Sequence, residues 1–180
     1  MPGQGEISSN PNCSRVGFRL SSVSSDYEEI IEGVSVLRRV SAGRHEVVCD
    51  ALLSAFTAAL KGSAVARLLE PRSIVQVSAG SLLRPDLALV TVATGKLWLA
   101  AEVVSSTDHR WDTVTKKELY EAAAVPRLWM VDPRYNNVEI YHGSPHGLAL
   151  QHIYAGREAL TERLLPALRV TVAELFAARM

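Results

Sequence analysis

Apolar and polar positions alternate with a period of two over much of this chain and switch to a helical period in three places. YEEIIEGVSVLRRVS predicts a strand, a turn at Gly33 and a second strand, so order is expected to begin near Tyr27. In HEVVCDALLSAFTAAL, Val48, Leu52, Leu53, Phe56 and Leu60 fall on one stripe, predicting a helix from Arg44 to Leu60 stopped by Gly62. VARLLE, SIVQVS and, after a Gly-Ser turn, PDLALV then read as short strands, and Leu97 to Val104 as a longer one. Thr107 to Asp112 form a connection, Thr113 to Ala123 have helical spacing, and Pro126 ends that helix. RLWMVD, a turn at Asn136-Asn137, VEIYH and GLALQHIYA predict three further strands. Thr171 and Glu174 form a capping box that opens a last helix through Phe176. Strands outnumber helices, and the order predicts a mixed α/β or α+β sheet.

Composition narrows the class. At 180 residues and 48% hydrophobic content the chain can bury one substantial core. Residues 1–26, rich in Ser, Gly, Pro and Asn, read as a flexible leader, and 27–180 as one domain. Acidic and basic residues balance at 19 each, which excludes a strong sequence-independent nucleic-acid binder. Arginine supplies most of the positive charge, so Lys116 and Lys117 stand out as a pair. Cys13 and Cys49 make neither a disulfide framework nor a zinc pattern and read as free thiols in a reducing compartment. No apolar stretch reaches the ~20 residues that cross a bilayer. The expectation is a cytoplasmic protein with no membrane partner.

Glu102 interrupts the apolar run LWLAAEVV. An unpaired buried carboxylate costs several kcal/mol, so it must be neutralised, paired or bound to metal. Alternation sends Asp86, Ala88 and Val90 to one face of their strand, and Trp98, Ala100, Glu102 and Val104 to one face of theirs. If the strands are neighbours, the two carboxylates meet, and a divalent ion would remove their repulsion; all-oxygen ligands suit Mg²⁺ or Mn²⁺. Asp112 or Thr113 can cap the following helix, which would put Lys116 in or near its first turn, against the helix dipole. Lys116 and Tyr120 share one face at i,i+4, and Lys117 and Glu121 the adjacent face, expected to lie toward solvent. The plain alternative is an Asp112–Lys116 surface pair.

Pro85-Asp86, Glu102 and a nearby lysine are the parts of a PD-(D/E)xK nuclease, although Val104 stands where that motif carries its lysine. RPDLALV, LAAEVVSST, RWDTVTKKELYEAAAVPRLWMVDP and NVEIYH together closely resemble the Uma family of restriction-endonuclease-like proteins. Upstream, EIIEG and His45 resemble the family's E-L-I-D-G and the His opening its first helix. The likeness spans about Glu29 to Phe176 and departs at Ser106, Ala124 and Leu128, where the family has proline, glycine and an aromatic. It implies a restriction-endonuclease-like core: a mixed central sheet flanked by helices, with an added antiparallel hairpin and the lysine moved to the following helix. It further implies Mg²⁺ or Mn²⁺ held by Asp86, Glu102 and the Val103 or Val104 carbonyl, with Lys116 acting on water or on the phosphate. Tyr120, His45 and Glu29 would support the site, and Arg84 and Arg110 would guide a nucleic-acid backbone, DNA before RNA. A homodimer is compatible with the sequence.

Other candidates rank lower. His142, His146 and His152 read as solvated residues of a hairpin loop. Ser105, Asp108 and His109 are too close in sequence for triad geometry. Trp98, Trp129, Tyr135 and Tyr141 read mainly as core and hairpin packing. Two rival functions remain: a nuclease-fold binding or regulatory module without catalysis, and a metal-independent hydrolase using Ser105.

Overall fold

The strand segments pair into two sheets in the computed structural model of the protein, which describes residues 26–39, 43–104 and 109–177. The expected leader therefore lies outside the described residues, apart from Asp26. The small sheet runs in the order β2 (Val34–Arg38), β1 (Tyr27–Ile31), β5 (Ser81–Leu83), β4 (Val75–Ser78), all antiparallel. The large sheet runs β10 (Gly147–Ala155), β9 (Asn137–Ser144), β8 (Arg127–Asp132), β7 (Leu97–Val103), β6 (Leu87–Thr91), β3 (Ala66–Leu68). Within it only β7 and β8 are parallel, and the helical stretch 109–122 connects them. The fold is a mixed sheet flanked by helices, with β9 and β10 as the added antiparallel hairpin.

Both faces of the large sheet are covered, which is why β7 reads as a nearly continuous apolar run. On one face α1 (Arg44–Ala59) sets Val48, Leu52 and Phe56 against Leu89, Leu99 and Trp129, joined by Val172 and Leu175 of α3 (Val172–Ala177). Phe56 meets Trp129 edge-on, with ring centroids 5.3 Å apart. On the other face Leu83, Tyr120 and Val125 pack on Ala100, Leu128 and Met130, with Ile31 beside them. Glu102 follows Ala100 in the alternation and pairs across to Met130 of β8, so its side chain enters this second layer. The capping box forms as expected: the Thr171 N–H donates to Glu174 Oε2 at 2.8 Å and the Glu174 N–H to Thr171 Oγ1 at 3.2 Å.

Four local expectations change. A register shift between Leu89 and Val90 reverses the alternation at the start of β7, so Trp98 packs on the α1 side and Leu97 on the other. Ser81 belongs to β5 rather than to a turn; it is buried and its hydroxyl accepts the Glu32 N–H at 3.1 Å. His142 and His152 lie in β9 and β10, not in a loop. The helix is already formed at residue 109 and contains a π turn, Trp111–Lys116, before α2 (Lys117–Ala122). Lys116 is thus not in the first turn, and the expected dipole cost does not apply. Among the described residues no helix is long and apolar enough to cross a membrane.

Ala124 closes the turn after α2 with φ 50°, a left-handed conformation that disfavours a Cβ by roughly 1–2 kcal/mol. This is one of the positions where the chain departs from the sequence pattern it resembles, which has glycine here. Ala124→Gly is expected to stabilise the protein by ~0.5–1 kcal/mol once glycine's greater unfolded-state entropy is subtracted. Urea unfolding measures it, and an unchanged or lower midpoint would contradict the strain.

Candidate active site

The antiparallel register Leu87–Ala101 and Ala88–Ala100 carries Asp86, the residue before β6, alongside Glu102. Asp86 Oδ2 accepts the Val103 N–H at 2.9 Å and lies 3.3 Å from His45 Nε2. Its Oδ1 lies 3.4 Å from Arg72 Nε. Glu102 is held on both oxygens: Lys116 Nζ donates to Oε2 at 2.9 Å, and the Tyr120 hydroxyl to Oε1 at 2.6 Å. Lys116 Nζ also lies 3.1 Å from Glu29 Oε1, which accepts the Arg84 N–H at 2.7 Å. Glu29, Glu102 and Lys116 are 0%, 1% and 1% exposed, so these charges have only each other and their neighbours for compensation.

A second tier holds the first. Arg38 Nε lies 3.6 Å from Glu29 Oε2, its Nη2 donates to Asp112 Oδ1 at 3.0 Å, and its guanidinium stacks 4.8 Å from the Trp111 ring centroid. Asp112, Lys116 and Tyr120 are all buried at four-residue spacing. An α-helix over-rotates such a series, whereas the wider π turn keeps Asp112 and Lys116 closer to one side. Asp112 is therefore a buried partner of Arg38, not half of a surface pair with Lys116. Arg72, left-handed at φ 57°, reaches Glu46 as well as Asp86, and Glu46 Oε1 lies 3.3 Å from His45 Nδ1.

The two acids sit in opposed environments. Burial, reinforced by Asp86, Asp112 and Glu29, pushes the Glu102 carboxyl up to about 8 against the pull of Lys116. Burial also acts on Asp86, but the His45 hydrogen bond and charge, Lys116 and the Val103 N–H outweigh it and hold Asp86 below its ordinary value. Burial opposes the charge on Lys116, yet Glu102 and Glu29 hold its ammonium above the usual range. His45 is raised in the same way: burial opposes its charge, and Asp86, Cys49 and Glu46 prevail. Burial and Glu102 keep the Tyr120 hydroxyl protonated.

Asp86, Glu102, Val103, His45 and Lys116 line one cavity of about 10 Å³, the space of a single water-sized sphere, with Tyr27, Arg38, Arg39, Arg72 and Asp112. Two close carboxylates at such a point fit a small hard cation that binds through one or two carboxylates and keeps its waters. Each carboxylate oxygen in contact with a donor retains a second lone pair for such an ion. A roomier cleft of about 720 Å³ between β4 and the end of α2 carries no carboxylate, His or Cys and cannot do this chemistry.

The residues singled out from sequence divide accordingly. Asp86, Glu102, Lys116, Tyr120, His45 and Glu29 come together. Val104 is buried with its N–H on Val131 O at 2.8 Å, and Val103 rather than Val104 lines the cavity. Arg84 directs its guanidinium to the Glu28 and Arg72 carbonyls, and Arg110 is exposed outside the lining. Lys117 is half-buried, its ammonium 4.2 Å from the Tyr141 ring centroid rather than free in solvent. Ser105 and Asp108 lie outside the described residues. Sequence reading missed Arg38, Arg39, Arg72 and Tyr27. Arg38-Arg39 at a strand end was the one visible signal, since nothing local marks an arginine in a Pro-Arg-Ser turn.

The Uma2 family, described as putative restriction endonuclease, matches residues 24–173. The crystal structure of a putative nuclease belonging to DUF820 from Anabaena variabilis superposes with a TM-score of 0.68. At 15% identity it covers 83% of this chain and 89% of its own, so the likeness is one of fold. No curated protein matches the chain.

Folded Glu102 holds its proton up to about 8, against an ordinary value of 4.5, so its contribution to stability falls as pH rises between the two. Glu102→Gln should remove that loss in metal-free protein. Its urea midpoint is expected to gain on wild type from about pH 5 to about pH 8; a constant offset would contradict the shift. Lys116→Ala strips the shared cation from buried Glu29 and Glu102 and should cost about 3–5 kcal/mol above about pH 8, where Glu102 is ionised. A loss below about 1 kcal/mol, the scale of an exposed pair, would mean the pairing is exposed in solution.

Proposed function

Because this chain belongs to the Uma2 family, we propose that it is a metal-dependent nuclease that hydrolyses phosphodiester bonds, with DNA as its substrate. One observation carries the reading: a buried lysine and a tyrosine hold Glu102 beside Asp86 at a cavity the size of one small ligand. A buried charge network of this kind is weak evidence for stability, since apolar residues can fill the same space equally well. Chemistry accounts for it better.

Asp86 and Glu102, with the Val103 carbonyl, would hold Mg²⁺ or Mn²⁺. When bound, such an ion supplies Lewis-acid neutralisation of phosphate charge and a more acidic water. Lys116 stays protonated between Glu102 and Glu29, which removes it as a general base. Its role is electrostatic: to orient the attacking water or to stabilise charge on the pentacovalent phosphorus. Tyr120 fixes the far oxygen of Glu102, and Glu29 keeps Lys116 from swinging away. His45 and Arg72 hold Asp86 ionised in the same network. Arg39, exposed at the cavity, and Arg72 in its lining would join Arg84 and Arg110 as the cations that meet the phosphate backbone. With no net charge on the chain, attraction for nucleic acid is local to this patch.

The test is single-turnover cleavage of duplex DNA, single-stranded DNA and RNA with Mg²⁺, Mn²⁺ or EDTA. Wild type should cut DNA only with the divalent ion. Lys116→Arg keeps the charge but replaces a compact ammonium with a planar guanidinium, and should lose about 10²–10³-fold. Lys117→Ala should stay within a few-fold of wild type, because Lys117 faces Tyr141. Cleavage in EDTA, or equal loss in both lysine variants, would overturn the assignment. A folded wild type that binds DNA without cutting would favour a binding module instead.

A further inference from the structure

We infer that the protein has a second metal site, for a zinc-class ion, on His45, Cys49 and Asp86. The first turns of α1 read His45-Glu46-Val47-Val48-Cys49, with His and Cys at i and i+4 on one helical face. This is the spacing at which a single helix presents two ligands to zinc in the H-E-x-x-H pattern. The third donor, Asp86, comes from a different part of the chain, immediately before β6. One donor atom from each of the three lies within 4.8 Å of the others. Two ligands on one tetrahedral zinc, with bonds of about 2.0–2.3 Å, stand roughly 3.3–3.7 Å apart. His45 Nε2 and Asp86 Oδ2 are already 3.3 Å apart. Cys49 Sγ, now 3.6 Å from His45 Nδ1, needs a side-chain rotation toward the Nε2 side.

The neighbours suit that ion. With Nε2 on the metal, Nδ1–H points to Glu46 Oε1 at 3.3 Å, and Arg72 pins Glu46 in turn. A carboxylate on the far nitrogen is the usual partner that fixes the tautomer of a zinc-bound histidine. Binding releases two protons to solvent, one from the Cys49 thiol and one from His45 Nε2, and the resulting thiolate and Asp86 carboxylate together cancel the charge of the ion. Sulfur and imidazole favour zinc-class ions, whereas the all-oxygen Asp86–Glu102 pair favours Mg²⁺ or Mn²⁺. Three protein ligands leave a fourth position open. The site shares Asp86 with the nuclease centre but does not depend on the nuclease reading. The competing account of Cys49 is a small core residue packed in the α1 layer, which binds nothing.

Co²⁺, a zinc surrogate with a visible spectrum, is titrated into purified full-length wild type, Cys49→Ser, Cys49→Ala and Glu102→Gln, with Zn²⁺ added last. Wild type should show a near-ultraviolet sulfur-to-cobalt charge-transfer band that Zn²⁺ abolishes. Both Cys49 variants should lose the band and bind Zn²⁺ more weakly by at least the ~10–100-fold typical of losing an outer-shell partner. Cys49→Ala sits at an apolar-tolerant position and guards against misfolding of the serine variant. Glu102→Gln should keep the band, which separates this site from the nuclease centre: absent cleavage with the band present leaves the inference standing. Cobalt binding without the charge-transfer band, no cobalt binding, or loss of the band in Glu102→Gln would overturn it.

Discussion

One ammonium shared by two buried acidic side chains organises this molecule. Lys116 bridges Glu29 of β1 and Glu102 of β7, and so joins the small sheet, the large sheet and the helical connection at one point. Charges this deep in protein are stable only when paired and hydrogen-bonded, so each further partner follows from the need to satisfy the last. Tyr120 completes Glu102, the Arg84 N–H completes Glu29, and Arg38 ties Glu29 to Asp112 on the π turn. The apolar contacts of Leu83 and Ile31 hold the same layers together without regard to direction. The polar ties fix which residue meets which.

Asp86 and Glu102 are neighbours with contrasting partners. Asp86 faces His45, Arg72 and a backbone N–H, while Glu102 shares its lysine with a second acid and is fully buried. Separated proton affinities in adjacent acids are the arrangement expected where one group must stay ionised and the other must respond to a ligand. A family of restriction-endonuclease type and a nuclease-like fold give this asymmetry a chemical context.

Much of this was legible in the sequence because it depends on short-range patterns. Period-two alternation around Glu102 and the Pro85-Asp86 step predicted two facing acids, and the spacing Asp112–Lys116–Tyr120 predicted one helical face. What was not legible depends on events that alternation cannot encode. The register shift between Leu89 and Val90 turns Trp98 to the opposite face, because a bulge inserts a residue without marking it in composition. The helix is already formed at residue 109, earlier than capping chemistry suggests, and the π turn within it buries Asp112 against Arg38, a long-range pairing that capping patterns do not encode. Arg72 enters the site from a turn remote in sequence, and only the pairing of Asp86 with α1 reveals the space it fills.

On the proposed reading, Asp86 and Glu102 jointly hold a divalent ion beside Lys116. Anomalous diffraction from crystals grown with Mn²⁺ tests it most directly. One strong peak is expected within oxygen-ligand distance, about 2.0–2.2 Å, of both carboxylates, with Lys116 still on Glu102 or Glu29. A peak that touches Asp86 but leaves Glu102 bound only by Lys116 and Tyr120, or no peak in this cavity, would contradict it.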